Sequence, residues 1–321
     1  MTMYQPGFKN FVNSGNSFGK VAVLYGGTSA ERDVSLKSGR AVANGLREQG
    51  IDILELDIGK QGVAQILAAK FDRAFIALHG EGGEDGKVQA LLQLLGIPFT
   101  GSLHTASAIA MDKLKTKQIW LSANLPTPDY RVLQSSDDFA ACLQALGGSV
   151  FVKPVHEGSS IGMTCANNKE ELKAAFEAAE KFDSEVFAES TVVGREFTVA
   201  ILGETVLPPI ELLPSNRFYD YDAKYISNET RYLCPCNLTP DKNHELCELA
   251  LKSFKMIGCS GWGRVDALQD EAGNFHLLEV NTVPGMTDHS LVPMAARAAG
   301  LSFSELVAEI LYLSTSDAGW K

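Results

Sequence analysis

The sequence predicts a mixed α/β protein whose N-terminal third holds a parallel sheet. Three strand-like runs in that third, KVAVLY, IDILEL and RAFIAL, alternate with helical patterns. This alternation is typical of parallel strands joined by crossover helices. The last third contains a long strand-like run, REFTVAILG, and a strand pair that begins at Trp262. With 321 residues and 45% apolar side chains, the chain can form two or three compact units with a sizeable core.

The other elements are predicted from spacing along the chain. The first 17 residues are polar with isolated aromatic side chains, and we expect them to form a loosely held extension. Between the sheet-forming runs, helical spacing recurs near residues 88–95, 112–123, 169–180, 244–257 and 303–311. An aromatic-rich segment without strong periodicity runs from Phe218 to Tyr232. It is predicted to be a lid over a site, or else an ordinary surface loop with aromatic anchors.

Charge and apolar patterning exclude several classes of partner. The formal net charge is -11 and no basic run is present, which argues against nucleic acid because backbone phosphates are bound by clustered Lys and Arg. No apolar run is long enough to span a bilayer, and residues 1–17 lack the apolar centre of a signal peptide. We therefore expect a cytoplasmic protein without a membrane partner.

The cysteines fit reduced thiols but leave one alternative open. Six cysteines are scattered along the chain, as expected of a cytosolic protein without a disulfide framework. Cys234, Cys236, His244 and Cys247 could in principle ligate zinc. Against this, the Cys-Pro-Cys spacing differs from the usual two-residue knuckle, and Cys247 falls on the apolar side of a helical pattern.

The strand pair that begins at Trp262 predicts a magnesium site. Arg264 and Asp266, and then Glu279 and Asn281, are spaced at the two-residue period of a strand, so the side chains within each pair leave one face. Asp266, Glu279 and Asn281 offer the oxygen ligands that Mg²⁺ prefers, and Mg²⁺ usually keeps water and substrate phosphate as its other ligands. The alternative is a solvent-facing hairpin that turns at residues 270–274.

Three glycine-containing loops follow predicted strands and are candidate ligand sites. GGTSAE ends at Glu31, HGEGGEDG begins at His79, and KPVHEGSSIG begins at Lys153. Ligands of open α/β sheets bind at the carboxyl ends of strands, and glycines let the backbone approach a ligand. Each loop also has an ordinary structural interpretation: Glu31 as the acid of a capping box begun by Thr28, His79 bonded to backbone, and Lys153 on a surface hairpin. Neither a dinucleotide fingerprint nor a P-loop is present.

Taken together, these stretches resemble the D-alanine:D-alanine ligase family of the ATP-grasp superfamily. The match runs from about Lys20 to the C-terminus and rests on motifs in family order: GGTSAERDVS, FIALHGEGGEDG, TGS and MDK, VKPVHEGSSIGM, REFTVAILG, FYDYDAKY, GWGRVD, LLEVNTVPGMT and HSLVP. The resemblance implies a three-domain ATP-grasp architecture. Its parts would be an extension at residues 1–17, an N-terminal α/β substrate domain at 18–101, a central subdomain at 102–190 and a C-terminal metal-binding domain at 191–321.

The resemblance also implies roles for individual residues. Those that would contact ATP are Lys113, Lys153, Ser160, Glu189, Val192, Glu196 and Lys224. Asp266, Glu279 and Asn281 would bind two Mg²⁺ ions, for which Mn²⁺ could substitute. Those that would hold the two D-alanine molecules are Glu31, His79, Lys224, Ser290 and the Leu291 backbone. Arg264 and the N–H of Gly285 would form the oxyanion site, while Tyr225 and Ser159 would link with Glu31 to close the lid.

The implied reaction is ATP-dependent ligation of two D-alanine molecules through an acyl phosphate, giving ADP and phosphate, for peptidoglycan precursor synthesis. Tyr225 favours an amine acceptor, and a homodimer is expected. One departure is visible: the chain reads Ser190-Thr191-Val192 where relatives commonly carry Lys, an aromatic residue and Leu, so nucleotide affinity is expected to differ. A different carboxylate-amine ligase, or a non-catalytic ligand-binding module, are the alternative hypotheses.

Overall fold

The computed structural model describes residues 4–213, 231–287 and 289–315 of the chain. Lys224, Tyr225 and most of the segment predicted as a lid lie outside these residues.

The N-terminal sheet is parallel and has three strands. Strand β1 (Val21–Gly26) lies between β2 (Ile53–Ile58) and β3 (Arg73–Ile76). Helices α2 (Arg32–Glu48) and α3 (Gly62–Ala68) connect the strands. Every residue of β1 is buried, as expected for a strand covered on both faces. The predicted parallel sheet with crossover helices is therefore confirmed.

The central sheet is antiparallel and covered by two helices. Its strands are ordered β4-β7-β5-β6. They span β4 (Tyr130–Leu133), β5 (Val150–Pro154), β6 (Thr164–Ala166) and β7 (Val186–Ser190). Helices α7 (Phe139–Ala145) and α8 (Lys169–Ala179) share a hydrophobic core with this sheet. The core holds α7 and α8 on one side and leaves other side chains of β5 and β7 to line a cleft.

The third sheet is also antiparallel and carries the predicted metal hairpin. Its strands are ordered β11-β10-β8-β12-β13, with β9 beside β8. They span β8 (Gly194–Leu202), β9 (Thr205–Val206), β10 (Ile210–Leu213), β11 (Arg231–Leu233), β12 (Trp262–Asp270) and β13 (Phe275–Asn281). The mixed α/β fold class is thus confirmed, with parallel pairing confined to the first sheet among the described strands.

The remaining helices pack against these sheets. They are α4 (Lys87–Leu94), α5 (His104–Met111), α6 (Lys113–Ser122), α9 (Pro240–Met256), α10 (Leu291–Ala298) and α11 (Phe303–Leu313). Helices α10 and α11 share one core with the N-terminal sheet, so the two ends of the chain are joined by packing. Within the described ranges no single helix has the length and apolarity to cross a membrane, although α10 and α11, bent by 102° at their break, meet that test as a pair.

The N-terminal segment differs from the loosely held extension predicted for residues 1–17. Gly7–Asn13 form helix α1, and the Phe8 side chain is buried in the main core. The buried carboxylate of Glu309 in α11 accepts hydrogen bonds from the Tyr4 hydroxyl and the Phe8 N–H, both at 3.0 Å. Sequence pattern missed this because a 7-residue helix is stabilised by its distant partner rather than by its own periodicity.

Phe8→Ala is expected to weaken the docking of α1 by about 3 kcal/mol, since truncating a buried Phe loses apolar burial and leaves a cavity. The measurement is hydrogen exchange of the α1 amides, which should become faster. Val12→Ala on the same helix is the control, because Val12 is 45% exposed. Equal protection of α1 in the Phe8 and Val12 variants would contradict the role of Phe8 as the anchor.

Candidate active site

A cleft of about 670 Å³ lies between the central sheet and the C-terminal sheet. It collects all the described residues for which ATP contacts are expected, together with two of the expected metal ligands. These are Lys113, Lys153, Ser160, Glu189, Val192, Glu196, Asp266 and Glu279. They come from α6, β5, β7, β8, β12, β13 and two connecting loops, so the cleft exists only when both sheets are in place.

The hairpin brings its polar side chains to one face as the two-residue spacing predicts. Arg264 is paired with Asn281, and Asp266 with Glu279, before the register shifts after Asp266. Asp266 is 8% exposed and accepts two bonds from the Arg264 guanidinium, at 2.8 and 2.7 Å. Thr198 donates to the same carboxylate at 2.5 Å, and Asn281 at 3.3 Å. The solvent-facing alternative is therefore wrong for Asp266.

These oxygens fit a hard divalent cation. Asp266, Glu279 and Asn281 supply two carboxylates and an amide oxygen, which is the donor chemistry that Mg²⁺ prefers. Lys113 Nζ lies 3.8 Å from Glu279 Oε2, so both this ammonium and the Arg264 guanidinium already balance carboxylate charge at the site. A cation bound here would compete with Arg264 for Asp266.

The zinc alternative is not supported by the arrangement of the cysteines. Cys234, Cys236, His244 and Cys247 all lie in the described part of the chain, where no group of three or more His, Cys, Asp or Glu side chains is placed to hold a metal. The exposed His244 pairs with Glu248 at 3.2 Å. Burial raises the pKa of both Cys234 and Cys247 to about 11, so these thiols stay protonated.

Glu189 lies between two lysine ammoniums at one wall of the cleft. Lys153 Nζ is 2.6 Å from Glu189 Oε1, and Lys117 Nζ contacts Glu189 Oε2. Burial alone would raise the pKa of Glu189, but the two ammoniums outweigh it and hold the pKa of this carboxyl below its ordinary value. Lys117 was missed by sequence reasoning. Its only signal is its place in the predicted helix, four residues after Lys113.

Glu31 and Ser159 meet across the opening between the N-terminal and central units. Glu31 is the N-cap of α2 and makes no side-chain cap bond, so the capping-box interpretation is wrong. The Ser159 hydroxyl donates to Glu31 Oε1 instead. Ser159 and Ser160 adopt positive φ angles of 52° and 61°, which non-glycine residues rarely do and which recur at ligand-binding loops.

Gly80 shows why the second loop is rich in glycine. Its φ is +68°, and a Cβ there would lie 2.7 Å from Glu31 Oε2. Only a residue without a side chain lets the backbone come this close to Glu31.

His79 contacts residues other than Glu31, although the sequence predicts that it orients Glu31 or the substrate. In the structure His79 is buried, Nδ1 lies 2.9 Å from the Val283 carbonyl and Nε2 lies 3.0 Å from Ser38 Oγ. Since a carbonyl only accepts, Nδ1 donates and Nε2 accepts from Ser38, whose oxygen also accepts from the Met286 N–H. Burial lowers the pKa of His79, so the neutral ring holds the loop at residues 282–290.

That loop ends at the N-terminus of α10, where an anion site is expected. Ser290 is the N-cap of α10 and makes no side-chain cap bond, and Leu291 is its first residue. Ser290 Oγ accepts from the Thr287 N–H at 2.9 Å and lies 3.0 Å from where a Gly285 Cβ would be. Gly285, Ser290 and Leu291 are thus brought together at a helix N-terminus that favours negative charge.

Glu84 is a second residue that sequence reasoning missed, although it stands in the HGEGGEDG loop. It accepts a hydrogen bond from the Gly80 N–H at 2.8 Å. Burial, followed by the nearby Glu31 charge, raises the pKa of Glu84 to about 8. A carboxyl with a strongly raised pKa, placed beside a second acidic side chain at the edge of a site, marks a functional region.

Glu84→Gln is expected to flatten the pH dependence of stability. Because the pKa of Glu84 is raised in the folded state, its contribution to stability is complete below its ordinary value of 4.5 and is lost as the pH approaches 8. Each unit of difference corresponds to about 1.4 kcal/mol. Thermal unfolding from pH 5 to pH 8.5 should therefore show the variant gaining on the parent as pH rises.

The exposed Glu81 of the same loop provides the control, since Glu81→Gln should follow the parent curve. A constant difference between the Glu84 variant and the parent at every pH would contradict a half-buried Glu84 that holds its proton.

Comparison with known proteins agrees with the fold and the cleft. Family models described as the C-terminus and N-terminus of D-ala D-ala ligase match residues 119–312 and 63–102. The D-alanine--D-alanine ligase of Saccharophagus degradans is 58% identical over 303 residues, which cover 94% of this chain and 96% of that protein. A crystal structure of the Bacillus anthracis D-alanine--D-alanine ligase complexed with ATP superposes with a TM-score of 0.82 at 32% identity, covering 92% of this chain and 97% of that one.

A D-Ala:D-Ser ligase is also among the similar structures. The VanG D-Ala:D-Ser ligase of Enterococcus faecalis has a TM-score of 0.81 and 31% identity, and the match covers 92% of this chain and 99% of that one. One family model spans more than half of the chain, and the curated relative matches nearly all of it. The chain therefore belongs to the D-alanine:D-alanine ligase family.

Proposed function

We propose that this enzyme joins two D-alanine molecules to D-alanyl-D-alanine with conversion of ATP to ADP and phosphate, for peptidoglycan precursor synthesis. The observation that carries the proposal is the convergence of three groups on one cleft. Lys113 and Lys153 line the same cleft as the oxygen ligands Asp266 and Glu279. Glu31 lies across the opening between the N-terminal and central units, where it accepts a hydrogen bond from Ser159.

Chemistry explains why a phosphate-binding cleft is joined to an amino-acid site. Condensing an amine with a carboxylate in water is uphill, so the carboxylate is first phosphorylated by ATP to an acyl phosphate. The amine of the second molecule then attacks the acyl carbon, and phosphate leaves. Both steps build negative charge on oxygen, and preorganised donors that meet such charge contribute on the order of 3 to 4 kcal/mol each.

The first D-alanine is proposed to lie beside Glu31, whose carboxylate would bind the ammonium. Ser159 holds Glu31 in place. Ser290 Oγ and the Leu291 N–H would bind the carboxylate of the second D-alanine at the N-terminus of α10. His79, by fixing the loop between these points, would set their separation.

ATP is proposed to lie between the two antiparallel sheets. Lys113, Lys153 and the Ser160 loop would contact its phosphates, while Glu189, Val192 and Glu196 would contact adenine and ribose. All six line the cleft. Arg264 and the Gly285 N–H would stabilise the oxyanion.

Asp266, Glu279 and Asn281 are proposed to hold two Mg²⁺ ions, with Mn²⁺ able to substitute. Bound there, the metal would polarise phosphoryl oxygens and offset their charge. The two Arg264 donors that hold Asp266 in the structure would be available to an oxyanion if Asp266 were a metal ligand.

Lys224 and Tyr225 are proposed to complete the site from a lid formed by the segment between Phe218 and Tyr232. Lys224 would reach ATP and substrate, and Tyr225 would join Ser159 and Glu31. An acyl phosphate also hydrolyses, so closure must exclude water. The domains are proposed to divide at residues 101/102 and 190/191. The enzyme is also proposed to be a cytoplasmic homodimer without nucleic-acid or membrane partners.

The test is phosphate release from ATP and Mg²⁺ with D-alanine, L-alanine, D-lactate or D-serine as amino or hydroxy acid, with the products separated by chromatography. D-alanine alone is expected to support fast release with formation of its dipeptide. Faster release with D-alanine plus D-serine or D-lactate than with D-alanine alone would assign a different acceptor. Release that ignores stereochemistry would contradict the substrate assignment.

A further inference from the structure

Lys117 is a buried lysine that contacts Glu189 but is not among the residues that line the cleft. Its side chain is 1% exposed, and lysine is almost never this buried without partners. Lys113, one turn earlier on α6, lines the cleft. The two lysines therefore have different tasks, although they share a helix.

The Lys117 ammonium lies among oxygen atoms of three residues. It forms an ion pair with Glu189 Oε2, donates to Thr127 Oγ1 at 2.6 Å and reaches the Pro128 carbonyl at 3.4 Å. The ring of Tyr130 lies under the charge, 5.6 Å from its centroid.

Charge balance ties Lys117 to Lys153. Glu189 offers one oxygen to each lysine. Burial lowers the pKa of Lys117, and the Glu189 carboxylate opposes this lowering. With both lysines protonated, the three side chains carry one surplus positive charge. Without Lys117, Glu189 and Lys153 would form a closed neutral pair and the surplus charge at the cleft would be lost. Lys153 is the member of the group that a phosphate can reach, since its side chain is 16% exposed.

Lys117 also lies at the joint between the two sheets that form the cleft. Thr127 Oγ1, its acceptor, donates to the Leu277 carbonyl at 2.8 Å, and the Leu277 N–H donates to Pro126 at 2.9 Å. Leu277 belongs to β13 and stands two residues before Glu279. One buried charge thus connects Glu189 in the central sheet with the strand that carries the expected metal ligands.

We propose that Lys117 is a positioning residue for nucleotide binding, which fixes the Glu189 carboxylate from outside the cleft and supplies the charge that leaves Lys153 able to meet a phosphate. This inference rests on the proposed assignment of Lys153 and Glu189 to the nucleotide.

The test is a double-mutant cycle read by titration calorimetry of Mg-ADP into the full-length chain. Lys117→Met is expected to raise the Kd for ADP about 10- to 100-fold, the range for losing a hydrogen bond to a charged group. The KM for ATP should rise with it while the KM for D-alanine stays within about twofold. In a Glu189→Gln background, Lys117→Met should change the Kd by less than about twofold, because its partner is already altered.

Two further variants keep the outcome decisive. Lys115→Met is the matched control, since Lys115 is exposed on the same helix, and its Kd should equal that of the parent. Thr127→Val leaves both charges in place and serves if Lys117→Met does not fold. It should raise the Kd for ADP about fivefold, the equivalent of one ordinary hydrogen bond. In the Glu189→Gln background it should leave that Kd unchanged.

Failure of this inference differs from failure of the site assignment. If Glu189→Gln and Lys153→Met bind ADP as tightly as the parent, the nucleotide assignment is wrong. If they bind it weakly while Lys117→Met and Thr127→Val bind it normally, or act additively with Glu189→Gln, only the role of Lys117 is overturned.

Discussion

Arg264→Met is expected to lower kcat by about 10²- to 10³-fold, as loss of one oxyanion donor does in other enzymes, while Mn²⁺ binds at least as tightly as before. The two effects should separate because Arg264 holds Asp266 in the structure and is proposed to meet the oxyanion during the reaction. Its Nε and Nη2 contact the Asp266 carboxylate, so its removal would abolish a competitor of the proposed metal as well as the proposed donor to the oxyanion. Phosphate release and Mn²⁺ titration by electron paramagnetic resonance measure the two effects.

Arg264→Lys is the control for charge. Lysine keeps the positive charge but not the planar fork that binds Asp266 through two parallel bonds, so kcat should fall between those of the parent and the Met variant. Thermal unfolding of both variants is needed, since Asp266 is 8% exposed and a buried carboxylate without its partner is destabilising. An unchanged kcat in folded Arg264→Met would remove Arg264 from the oxyanion site.

The hairpin shows which structural features strand alternation predicts and which it does not. The two-residue period placed Arg264 with Asp266 on one face, and Glu279 with Asn281 on one face, because alternation is a property of each strand alone. Which residues oppose one another depends on register, and one sequence does not specify it. The observed pairing of Asp266 with Glu279, and the shift after Asp266, are set by contacts on both sides of β12, which also pairs with β8.

Residues that act through distant partners could not be predicted in the same way. His79 was recognised as a candidate from its loop, but its partner Val283 lies 204 positions away, and nothing in the spacing indicates that contact. Lys117 and Glu84 are ordinary charged residues in the sequence. Their surroundings single them out, because Lys117 is buried beside Glu189 and Glu84 is half-buried near Glu31, and burial of charge is a tertiary property.

The N-terminal helix illustrates the same limit for the fold. The polar character of residues 1–17 predicts a loose extension, yet Phe8 inserts into a core that the N-terminal sheet shares with helices from the other end of the chain. The Phe8 N–H also donates to the buried carboxylate of Glu309 in α11. Helix and strand periods therefore locate the elements, while contacts between the two ends of the chain depend on tertiary packing that these periods do not encode.

Glu279→Gln is expected to reduce phosphate release by roughly 10³-fold, because loss of a metal's charge stabilisation costs several kcal/mol. The substitution keeps the size of the side chain and removes one charge from the oxygen set. Binding of Mn²⁺ should weaken in parallel, in contrast to Arg264→Met. The Lys113 ammonium, 3.8 Å from Glu279 Oε2, loses a counter-charge, so ADP without metal should bind at least as well as it does to the parent.

Glu271→Gln is the matched control, since Glu271 is an exposed residue in the turn of the same hairpin, and both its phosphate release and its Mn²⁺ binding should equal those of the parent. The opposite signs expected for Mn²⁺ binding in the Glu279 and Arg264 variants arise from the geometry of one strand pair. The carboxylates would attract a cation, and the Arg264 guanidinium contacts one of them, Asp266, in the structure. Normal phosphate release by Glu279→Gln would mean that the hairpin does not hold the metal and that other chemistry occupies the cleft.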